Sequence, residues 1–412
     1  MANVEDMDVP RCSRRLTLAL LSVALLAVTA CSPGALGPED ATPTATSEPS
    51  PTVTEEPEDR SFSMSVMGDW LPHDSVVADA ADGSGGYDFA RFTDSLRGLW
   101  EQDELVYCNQ EVTSAGELPI SYFPQFNAPP ELADGMHEAG CNVIGLGNNH
   151  TFDHGQPGID GTLEVWDGLG PELIAGANRS PEEQLEVAST DVNGISVSFV
   201  NFVGMSNMGS NDYALDYLTD HDLRSTLMEE ASQADVTIVA VHWGDEYSHR
   251  VNGMQREYAE ILVEEGADVI IGTHPHVVQP VEWLPKEDGT EALVFYSLGN
   301  FLSTQMAVPR IIGLLGQFDV TVDADGLVTI DNARSVPTYM HFDLSVADYV
   351  NENWVNRTNL QVYPLWDTQE PLSRSAWRND VTVESLYASF EEWAGEEIPI
   401  VRSEEEAESY RP

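Results

Sequence analysis

Lysine is almost missing from this chain of 412 residues. Lys286 is the only lysine, and lysine and arginine together number 18 against 70 aspartates and glutamates, so the formal net charge is −52. Nucleic-acid binding and electrostatic attachment to anionic lipid both need a basic surface, and this composition argues against both. An acidic surface suits a salty or extracellular setting. The alternative is a general acidic drift of the organism's proteins, which would say nothing about function.

Cysteine is also scarce, with four residues in the chain. Cys108 and Cys141 both lie in runs that predict buried strands. In an oxidising compartment they could pair. They are at least as well explained as buried free thiols, because cysteine is among the residues most often fully buried. Neither lies beside other ligand types, which argues against a metal thiolate site.

Long apolar runs are absent apart from Leu16–Val28, which is too short for a good membrane-spanning helix. Arginines precede this run, and Val28-Thr29-Ala30-Cys31 follows the pattern of a bacterial lipobox. We therefore predict that residues 1–31 are a lipoprotein signal peptide and that lipid on Cys31 anchors the protein to the extracellular face of the bacterial cell membrane. Ser13-Arg14-Arg15-Leu16 also resembles a twin-arginine signal, so the export route stays open.

The remainder of the chain divides by composition. Residues 32–60 are rich in Pro, Thr, Ser and acidic residues, and they predict a disordered tether because they offer little apolar surface to bury. From residue 61 to about 345, strand-like runs alternate with helical patterns, including one over Phe89–Glu101, and end in a predicted hairpin within 312–336. This alternation predicts an α/β layered domain, and residues 346–412 predict an extension that packs on it.

Metal-ligating residue types follow five of the strand-like runs. The ligands of open α/β sheets lie at the carboxyl ends of strands, so these side chains are expected to meet at one edge. Mixed oxygen and nitrogen donors suit Mn, Fe or Zn. A lone histidine is more often a solvated or core residue, but five such endings in one chain favour a metal site. The residues are Asp69 with His73, Glu111, Asn149 with His150, His242, and His274 with His276.

Six motifs built on these residues resemble the CapA/PgsA family, which is named for poly-γ-glutamate capsule synthesis. They occur in family order within Met64–Leu302. The family is similar to calcineurin-like metallophosphatases, so the resemblance implies a four-layer α/β/β/α sandwich. The motifs are Gly68-Asp69, Asn109-Gln110-Glu111, Asn148-Asn149-His150 with Asp153 and Gly155, His242-Trp243-Gly244-Asp245-Glu246-Tyr247, Gly272-Thr273-His274-Pro275-His276 and Tyr296-Ser297-Leu298-Gly299-Asn300-Phe301.

The resemblance implies a site for two divalent metal ions (Mn, Fe or Zn) and a role for each ligand. One ion would be held from the Asp69 side and the other from the His242 side, with one carboxylate bridging them. The implied ligands are Asp69 and His276 for the first metal, Asn149, His242 and His274 for the second, and Glu111 as the bridge.

The same pattern implies a catalytic pair, with His150 as acid or electrostatic partner and Asp153 as the group that orients it. Two positions depart from the wider superfamily. The usual Asp-X-His of the first motif is replaced by Asp69 and His73, four residues apart, and we include His73 as a candidate ligand. Glu111 stands where the superfamily usually has aspartate, which lengthens the arm.

Three further residues are candidates for substrate binding: Trp243, Glu246 and Asn300. Trp243 and Glu246, with the neighbouring Tyr247, follow a ligand on a loop and could line the cleft, although the aromatic rings could equally cap the sheet. Asn300 lies in a turn at a strand end, where its amide could bind substrate or the backbone.

For function, the resemblance implies a surface-anchored protein in poly-γ-glutamate synthesis or export, with polyglutamate synthase components as partners. One alternative is a metal-dependent phosphoesterase or other hydrolase of a cell-envelope substrate. Another is a scaffold that binds polymer without turnover. Because one fold serves many functions, the sequence leaves these alternatives open.

Overall fold

The computed structural model describes residues 59–410. The predicted signal peptide over residues 1–31, the lipidation site Cys31 and almost all of the predicted tether over residues 32–60 lie outside the described residues. Within residues 59–410, no helix has the length and apolar character needed to cross a membrane.

The strands of this region account for most of its core. In chain order they are β1 (Arg60–Trp70), β2 (Leu105–Gln110), β3 (Val143–Gly145), β4 (Leu173–Ala175), β5 (Ala188–Val192), β6 (Ile195–Val203), β7 (Val236–His242), β8 (Val269–Thr273), β9 (Val281–Pro285), β10 (Glu291–Phe295), β11 (Asn300–Leu302), β12 (Ile312–Val322), β13 (Val328–Asp343) and β14 (Thr358–Pro364).

The α-helices are mostly short, and 3-10 turns occur between them. The helices are α1 (Asp74–Ala80), α2 (Glu131–Glu138), α3 (Gly155–Leu169), α4 (His221–Ala231), α5 (Gly253–Glu264), α6 (Val346–Val350), α7 (Gln369–Arg374), α8 (Val383–Ala394) and α9 (Glu404–Ser409). The 3-10 turns are Ala90–Thr93, Arg97–Leu99, Glu183–Leu185, Val308–Arg310, Trp354–Asn356 and Leu365–Asp367.

Two sheets organise the domain. The first has the order β14-β13-β12-β1-β2-β3-β4, with β11 also paired to β1, and the second has the order β5-β6-β7-β8-β10-β9. Strands β1 to β4 run parallel, as do β6, β7, β8 and β10. Strands β12 and β13 form the predicted antiparallel hairpin. Because neighbouring parallel strands end at the same edge, each sheet delivers several loops to one place.

The two sheets share one apolar core and carry helices on their outer faces. Phe199 of β6 lies in the core between the sheets, while Phe202 of the same strand lies in a second core with Leu227 of α4 and Leu262 of α5. Helices α2 and α3 add side chains to the first sheet's side of the core. The predicted four-layer α/β/β/α sandwich is confirmed. Truncating the fully buried Phe199 to alanine would cost about 3–5 kcal/mol.

One predicted helix is wrong. Residues Phe89–Glu101 form two 3-10 turns, Ala90–Thr93 and Arg97–Leu99, in place of an α-helix. The apolar residues at helical spacing are buried, but tertiary contacts hold them: the Trp100 indole donates to the carbonyl oxygen of Ala139 at 2.8 Å. Gly98, a weak helix former, interrupts the segment.

Cys108 of β2 and Cys141, which precedes β3, form a disulfide with a Cα–Cα distance of 5.8 Å. The sequence left open whether the two cysteines are paired or free, and in the structure they are paired. Closing a loop across a sequence separation of 33 residues stabilises a fold by about 3–4 kcal/mol. The bridge lies three residues before Glu111 and holds the strand that presents it.

Candidate metal centre

Close backbone packing brings the ends of β1 and β8 to a common edge. A Cβ atom on Gly68 would lie 1.9 Å from the carbonyl oxygen of Gly299, and one on Gly272 would lie 2.1 Å from that of Tyr296. Only glycine fits at either position. The backbone N–H of Asp69 then donates to the Gly299 carbonyl at 3.0 Å, which fixes where the Asp69 side chain begins.

Five buried side chains from the two sheets converge at this edge, and we call them the Glu111 cluster. They form two possible three-ligand groups, one of Asp69, Glu111 and His276 and the other of Glu111, His242 and His274. Within each group the donor atoms lie within 4.8 Å of one another. Glu111 belongs to both groups, which is the position of a bridging carboxylate.

Asp69 and His276 are held in a directed pair. The Asp69 Oδ2 atom lies 2.9 Å from His276 Nδ1, and the Asn109 amide donates to Asp69 Oδ1 at 2.9 Å. The other ring nitrogen of His276 lies 3.6 Å from Glu111 Oε1. Hydrogen bonds around a ligand fix its orientation, so the Asn109 amide sets the plane of the Asp69 carboxylate.

His242 is oriented by the strand beside its own. Its Nδ1 atom lies 2.9 Å from the Thr273 hydroxyl, which leaves Nε2 facing Asn149 Oδ1 at 3.0 Å and Glu111 Oε1 at 3.7 Å. The rings of His242 and His274 are 4.8 Å apart between centroids. The His274 Nδ1 atom has no hydrogen-bond partner among the described residues. Asn149 therefore contacts the second group through His242.

The electrostatics of the cluster match a site for cations. Both carboxylate oxygens of Glu111 are buried without a hydrogen-bond partner among the described residues. Burial, together with the negative charges of Asp69, Glu246 and Asp153, raises the pKa of Glu111 well above its usual range. Burial and the neighbouring histidines lower the pKa of His242 well below its usual range, and burial lowers that of His274 to about 4.

These features pass a chemical test of fit for divalent metals. A buried charge without a partner is costly unless it is paired or coordinates a metal. Metal ligands must be ionised carboxylates and neutral imidazoles, and burial already keeps the His242 and His274 imidazoles neutral. Carboxylate oxygens mixed with imidazole nitrogens suit Mn, Fe or Zn. The residues present therefore fit a divalent metal of the kind that the sequence predicted.

His150 lies beside the cluster in a defined orientation. Its Nδ1 atom is 2.8 Å from Asp153 Oδ2, which also accepts the backbone N–H of Phe126 at 2.8 Å. The Phe126 ring packs edge-on against the imidazole, with centroids 4.8 Å apart. The Nε2 atom is the one left for other partners and lies 3.4 Å from the Asn207 amide. The structure thus brings His150 and Asp153 together as a pair.

Two of the sequence candidates lie outside the two ligand groups. His73 is close to Phe126, with ring centroids 5.6 Å apart, and its Nδ1 atom lies 3.1 Å from the Leu71 carbonyl oxygen. Burial lowers the pKa of His73 to about 4. Trp243 is 1% exposed in the outer core of the second sheet, where its indole donates to the Tyr296 carbonyl. The structure thus places Trp243 as a core residue that caps the sheet.

The remaining candidates form a rim around the cluster. Glu246 is exposed, and it raises the pKa of Glu111 through its charge. Tyr247 is 42% exposed, and its ring lies 5.9 Å from that of His276. Asn300 is buried and pairs in register with Asp69; its amide donates to the Arg310 carbonyl at 2.9 Å. Asn300 Oδ1 has no partner among the described residues.

Backbone strain is concentrated here. Tyr247, His274 and His276 have φ values of 64°, 96° and 58°, a region that side chains other than glycine rarely occupy. Such conformations cost roughly 1–3 kcal/mol each and cluster at functional sites.

Sequence reasoning gave no role to several residues that contact this site, among them Asn207, Thr273 and Arg310. Thr273 could have been found, since it precedes His274 at a strand end. Asn207 and Arg310 come from loops with no strand-end pattern, and nothing in the sequence marks them.

Comparison with known proteins places these features in a wider context. Residues 63–305 match the sequence profile of the family described as "Bacterial capsule synthesis protein PGA_cap". That range contains the whole Glu111 cluster together with His150 and Asp153.

Two curated relatives match a shorter stretch. The PGA biosynthesis protein CapA of Bacillus subtilis is 31% identical over 177 residues, or 41% of this chain and 44% of that protein. The capsule biosynthesis protein CapA of Bacillus anthracis is 29% identical over 188 residues, or 43% of this chain and 44% of that protein. The matched stretch thus spans less than half the length of either relative. Among solved structures, the NAD nucleotidase NadN of Haemophilus influenzae aligns with a TM-score of 0.43 and 11% identity, covering 81% of this chain and 60% of that one.

Proposed function

The chain belongs to the bacterial capsule synthesis protein family PGA_cap, and from this premise we propose that it is a metal-dependent hydrolase that acts in poly-γ-glutamate production at the cell surface. One observation carries the hydrolytic part of this proposal. Glu111 is buried, lacks hydrogen-bond partners among the described residues and is common to both three-ligand groups. A wholly structural carboxylate would be paired with a donor in the protein.

The ligands divide between two metals in the proposed site. Asp69 and His276 would hold the first, His242 and His274 would hold the second with Asn149 beside them, and Glu111 would serve both. When bound, two divalent cations supply Lewis acidity toward a phosphoryl or carbonyl oxygen and lower the pKa of a water molecule.

His150 acts on the leaving group in this proposal. Asp153 accepts a hydrogen bond from His150 Nδ1, so the proton that can be transferred is the one on Nε2. The protonated imidazole donates that proton to the leaving oxygen, and the Asp153 carboxylate stabilises the positive ring before transfer. Phe126 excludes water from one face of the ring and limits its rotation.

A location outside the cytoplasm is part of the proposal. The Cys108–Cys141 disulfide supports it, because disulfides persist in oxidising compartments. The proposed anchor is lipid on Cys31, and the proposed partners are the synthase components that make the polymer. The names of the two relatives, which refer to PGA and capsule biosynthesis, support the polymer assignment.

Metal content and hydrolysis test the proposal together. The full chain is loaded with Mn, Fe or Zn, analysed for bound metal, and assayed with bis(p-nitrophenyl) phosphate. We expect about two equivalents of metal and metal-dependent hydrolysis. Both should be lost in Glu111→Gln and kept in Glu117→Gln, an exposed glutamate in the loop after β2. Hydrolysis that survives complete removal of metal would refute the proposal, and metal binding without any turnover would favour a scaffold.

A genetic experiment tests the polymer part separately. Deleting the gene should reduce γ-linked polyglutamate on the cell surface, and the wild-type gene should restore it where Glu111→Gln does not. Unchanged polymer in the deletion strain would remove this part of the proposal while leaving the hydrolase intact.

A further inference from the structure

We infer that Arg310 forms an anion subsite beside the Glu111 cluster, which takes a carboxylate or phosphate group of the substrate. The inference rests on the proposed function for the reaction, but the binding it describes can be measured without turnover. In a chain with a net charge of −52, a positive charge at the rim of the site is unusual and calls for a physical explanation.

Arg310 is joined to the cluster through Tyr247. Its guanidinium carbon lies 3.4 Å from the centroid of the Tyr247 ring, and that ring lies 5.9 Å from the ring of His276, one of the proposed ligands. The Tyr247 backbone N–H donates to the Pro275 carbonyl at 2.8 Å, which ties the ring to the loop that bears His274 and His276. The charge is therefore held next to the cluster on a fixed support.

The guanidinium of Arg310 has no acidic partner. Of the six other arginines that stack over aromatic rings in the described part of the chain, five also have a carboxylate within 4.0 Å: Arg91, Arg224, Arg256, Arg357 and Arg402. Among residues 59–410, no carboxylate lies within that distance of Arg310, and its side chain makes no hydrogen bond. Its N–H donors are thus free for a ligand.

Arg357 makes the contrast plain, because it also stacks over an aromatic ring, that of Phe342. It donates to the carbonyl oxygens of Thr304 and Trp354 and is 3.6 Å from Asp74. These contacts commit its donors to the protein. Arg310 lacks such contacts, although acidic residues are abundant in this chain.

The support for Arg310 is strained, and a merely structural contact would not require that. Tyr247 holds a φ of 64°, in a region that side chains other than glycine rarely occupy. The Arg310 carbonyl accepts the Asn300 amide, and Asn300 pairs in register with Asp69. Arg310 is thus fixed from two sides by segments that also position proposed ligands.

The charge pattern of the rim gives the subsite a direction. Glu246, an exposed acid, directly precedes Tyr247 in the chain, while the guanidinium of Arg310 stacks over the Tyr247 ring. An anionic substrate would be repelled from the Glu246 side and drawn to the Arg310 side. The planar guanidinium fork matches the two oxygens of a carboxylate or phosphate.

The test is a binding measurement on the metal-loaded full chain. The probes are a γ-linked glutamate oligomer, the same oligomer as its neutral methyl ester, and inorganic phosphate, each titrated calorimetrically against wild type, Arg310→Gln and Arg310→Lys. We expect Arg310→Gln to bind the oligomer or phosphate about tenfold more weakly. Arg310→Lys should recover part of the loss, because it keeps the charge without the fork. The methyl ester should bind wild type and Arg310→Gln equally.

Arg250→Gln is the matched control, since Arg250 is an exposed arginine in the loop after Tyr247 whose side chain has no hydrogen-bond or ion-pair partner among residues 59–410. It should bind every probe as the wild type does. Loss confined to the oligomer identifies a carboxylate as the ligand, and loss confined to phosphate identifies a phosphoryl group. Unchanged affinity of Arg310→Gln for both probes overturns the inference. Failure of the proposed function would instead appear as wild type without metal or without turnover.

Discussion

Two groups in this protein are each built around a fully buried histidine and a carboxylate, and they differ in how their polar atoms are used. One is the Glu111 cluster. The other, which we call the His341 cluster, consists of Tyr339, His341, Asp343, Asn359 and Arg374 at the far side of the first sheet. Both His341 and His242 are 0% exposed.

In the His341 cluster the polar atoms have partners inside the protein. His341 Nε2 lies 3.0 Å from Asp343 Oδ1, and His341 Nδ1 lies 3.4 Å from the Tyr339 hydroxyl. Asp343 Oδ2 accepts from Arg374 and from Asn359, each at 2.8 Å. In the Glu111 cluster, both oxygens of Glu111 and Nδ1 of His274 have none among the described residues. Oxygen and nitrogen atoms that lack hydrogen-bond partners distinguish a ligand site from a structural polar group better than residue type does.

The largest effect should come from Glu111→Gln. We expect the rate of phosphodiester hydrolysis to fall at least about 10³-fold, because both three-ligand groups lose a member. The unfolding free energy of the metal-free protein should stay the same or rise, since a buried unpaired carboxylate is removed. Steady-state rates and urea unfolding in EDTA measure the two quantities. A clear loss of metal-free stability would mean that Glu111 is structural, as Asp343 is.

Asp153→Asn should have the next largest effect and separate the acid from the metals. Loss of the carboxylate that orients His150 should lower kcat by about 10²-fold while metal content stays at the wild-type value. Rates and elemental analysis on the same samples provide the check. If metal is lost together with the rate, Asp153 supports the ligands and not the proton transfer.

Asp343→Ala tests the other side of the comparison. It removes the acceptor of the buried His341, while Arg374 keeps Glu370 as a partner, so we expect the unfolding free energy to fall by about 1–3 kcal/mol. Metal content and kcat should match the wild type. Chemical denaturation and the hydrolysis assay are the measurements, and altered metal content would show that the two clusters are coupled.

The smallest effect concerns pH in the metal-free protein. Burial lowers the pKa of His274 to about 4, so below about pH 6.5 the unfolded chain binds a proton that the folded chain does not. Stability due to this group is present above pH 6.5 and is lost as the pH falls toward 4. The pKa of His341 is also lowered by burial, but Asp343 opposes the shift. Between pH 6.5 and 4, the unfolding free energy should therefore decrease by about 1–3 kcal/mol less in His274→Gln than in the wild type. In His341→Gln the difference from the wild type should be smaller. The same difference from the wild type in both variants would contradict this.

The sequence predicted the α/β layers and the ends of the strands, because buried parallel strands are recognisable as apolar runs that stop at polar residues. The Asn193-Gly194 dipeptide, a typical hairpin signal, joins β5 to β6 with φ values of 54° and 81°. The sequence prediction failed at Phe89–Glu101, where tertiary packing satisfies apolar residues at helical spacing without a helix. It did not anticipate that residues 358–364 would form an edge strand, since an edge strand pairs on one side only and leaves a weak pattern.

At the site, the sequence brought out the side chains that come directly from strand ends. It could not show that Trp243 points into the outer core, because neighbouring residues at a strand end point to opposite faces. It could not find Arg310 or Asn207, whose places depend on how loops fold back over the cluster. Nor could it show which polar atoms lack partners, which is the feature that separates the two histidine clusters.

The Glu111 cluster takes its residues from both sheets, and this determines when during synthesis the cluster can form. Asp69 and Glu111 come from the first sheet, while His242, His274 and His276 come from the second. Neither sheet alone provides a complete three-ligand group. During synthesis, no complete set of donors exists until the ribosome has passed His276 and the sheets have docked. Capture of metal would therefore mark a finished molecule, and a stalled or misassembled copy would be recognisable by its failure to retain the ions.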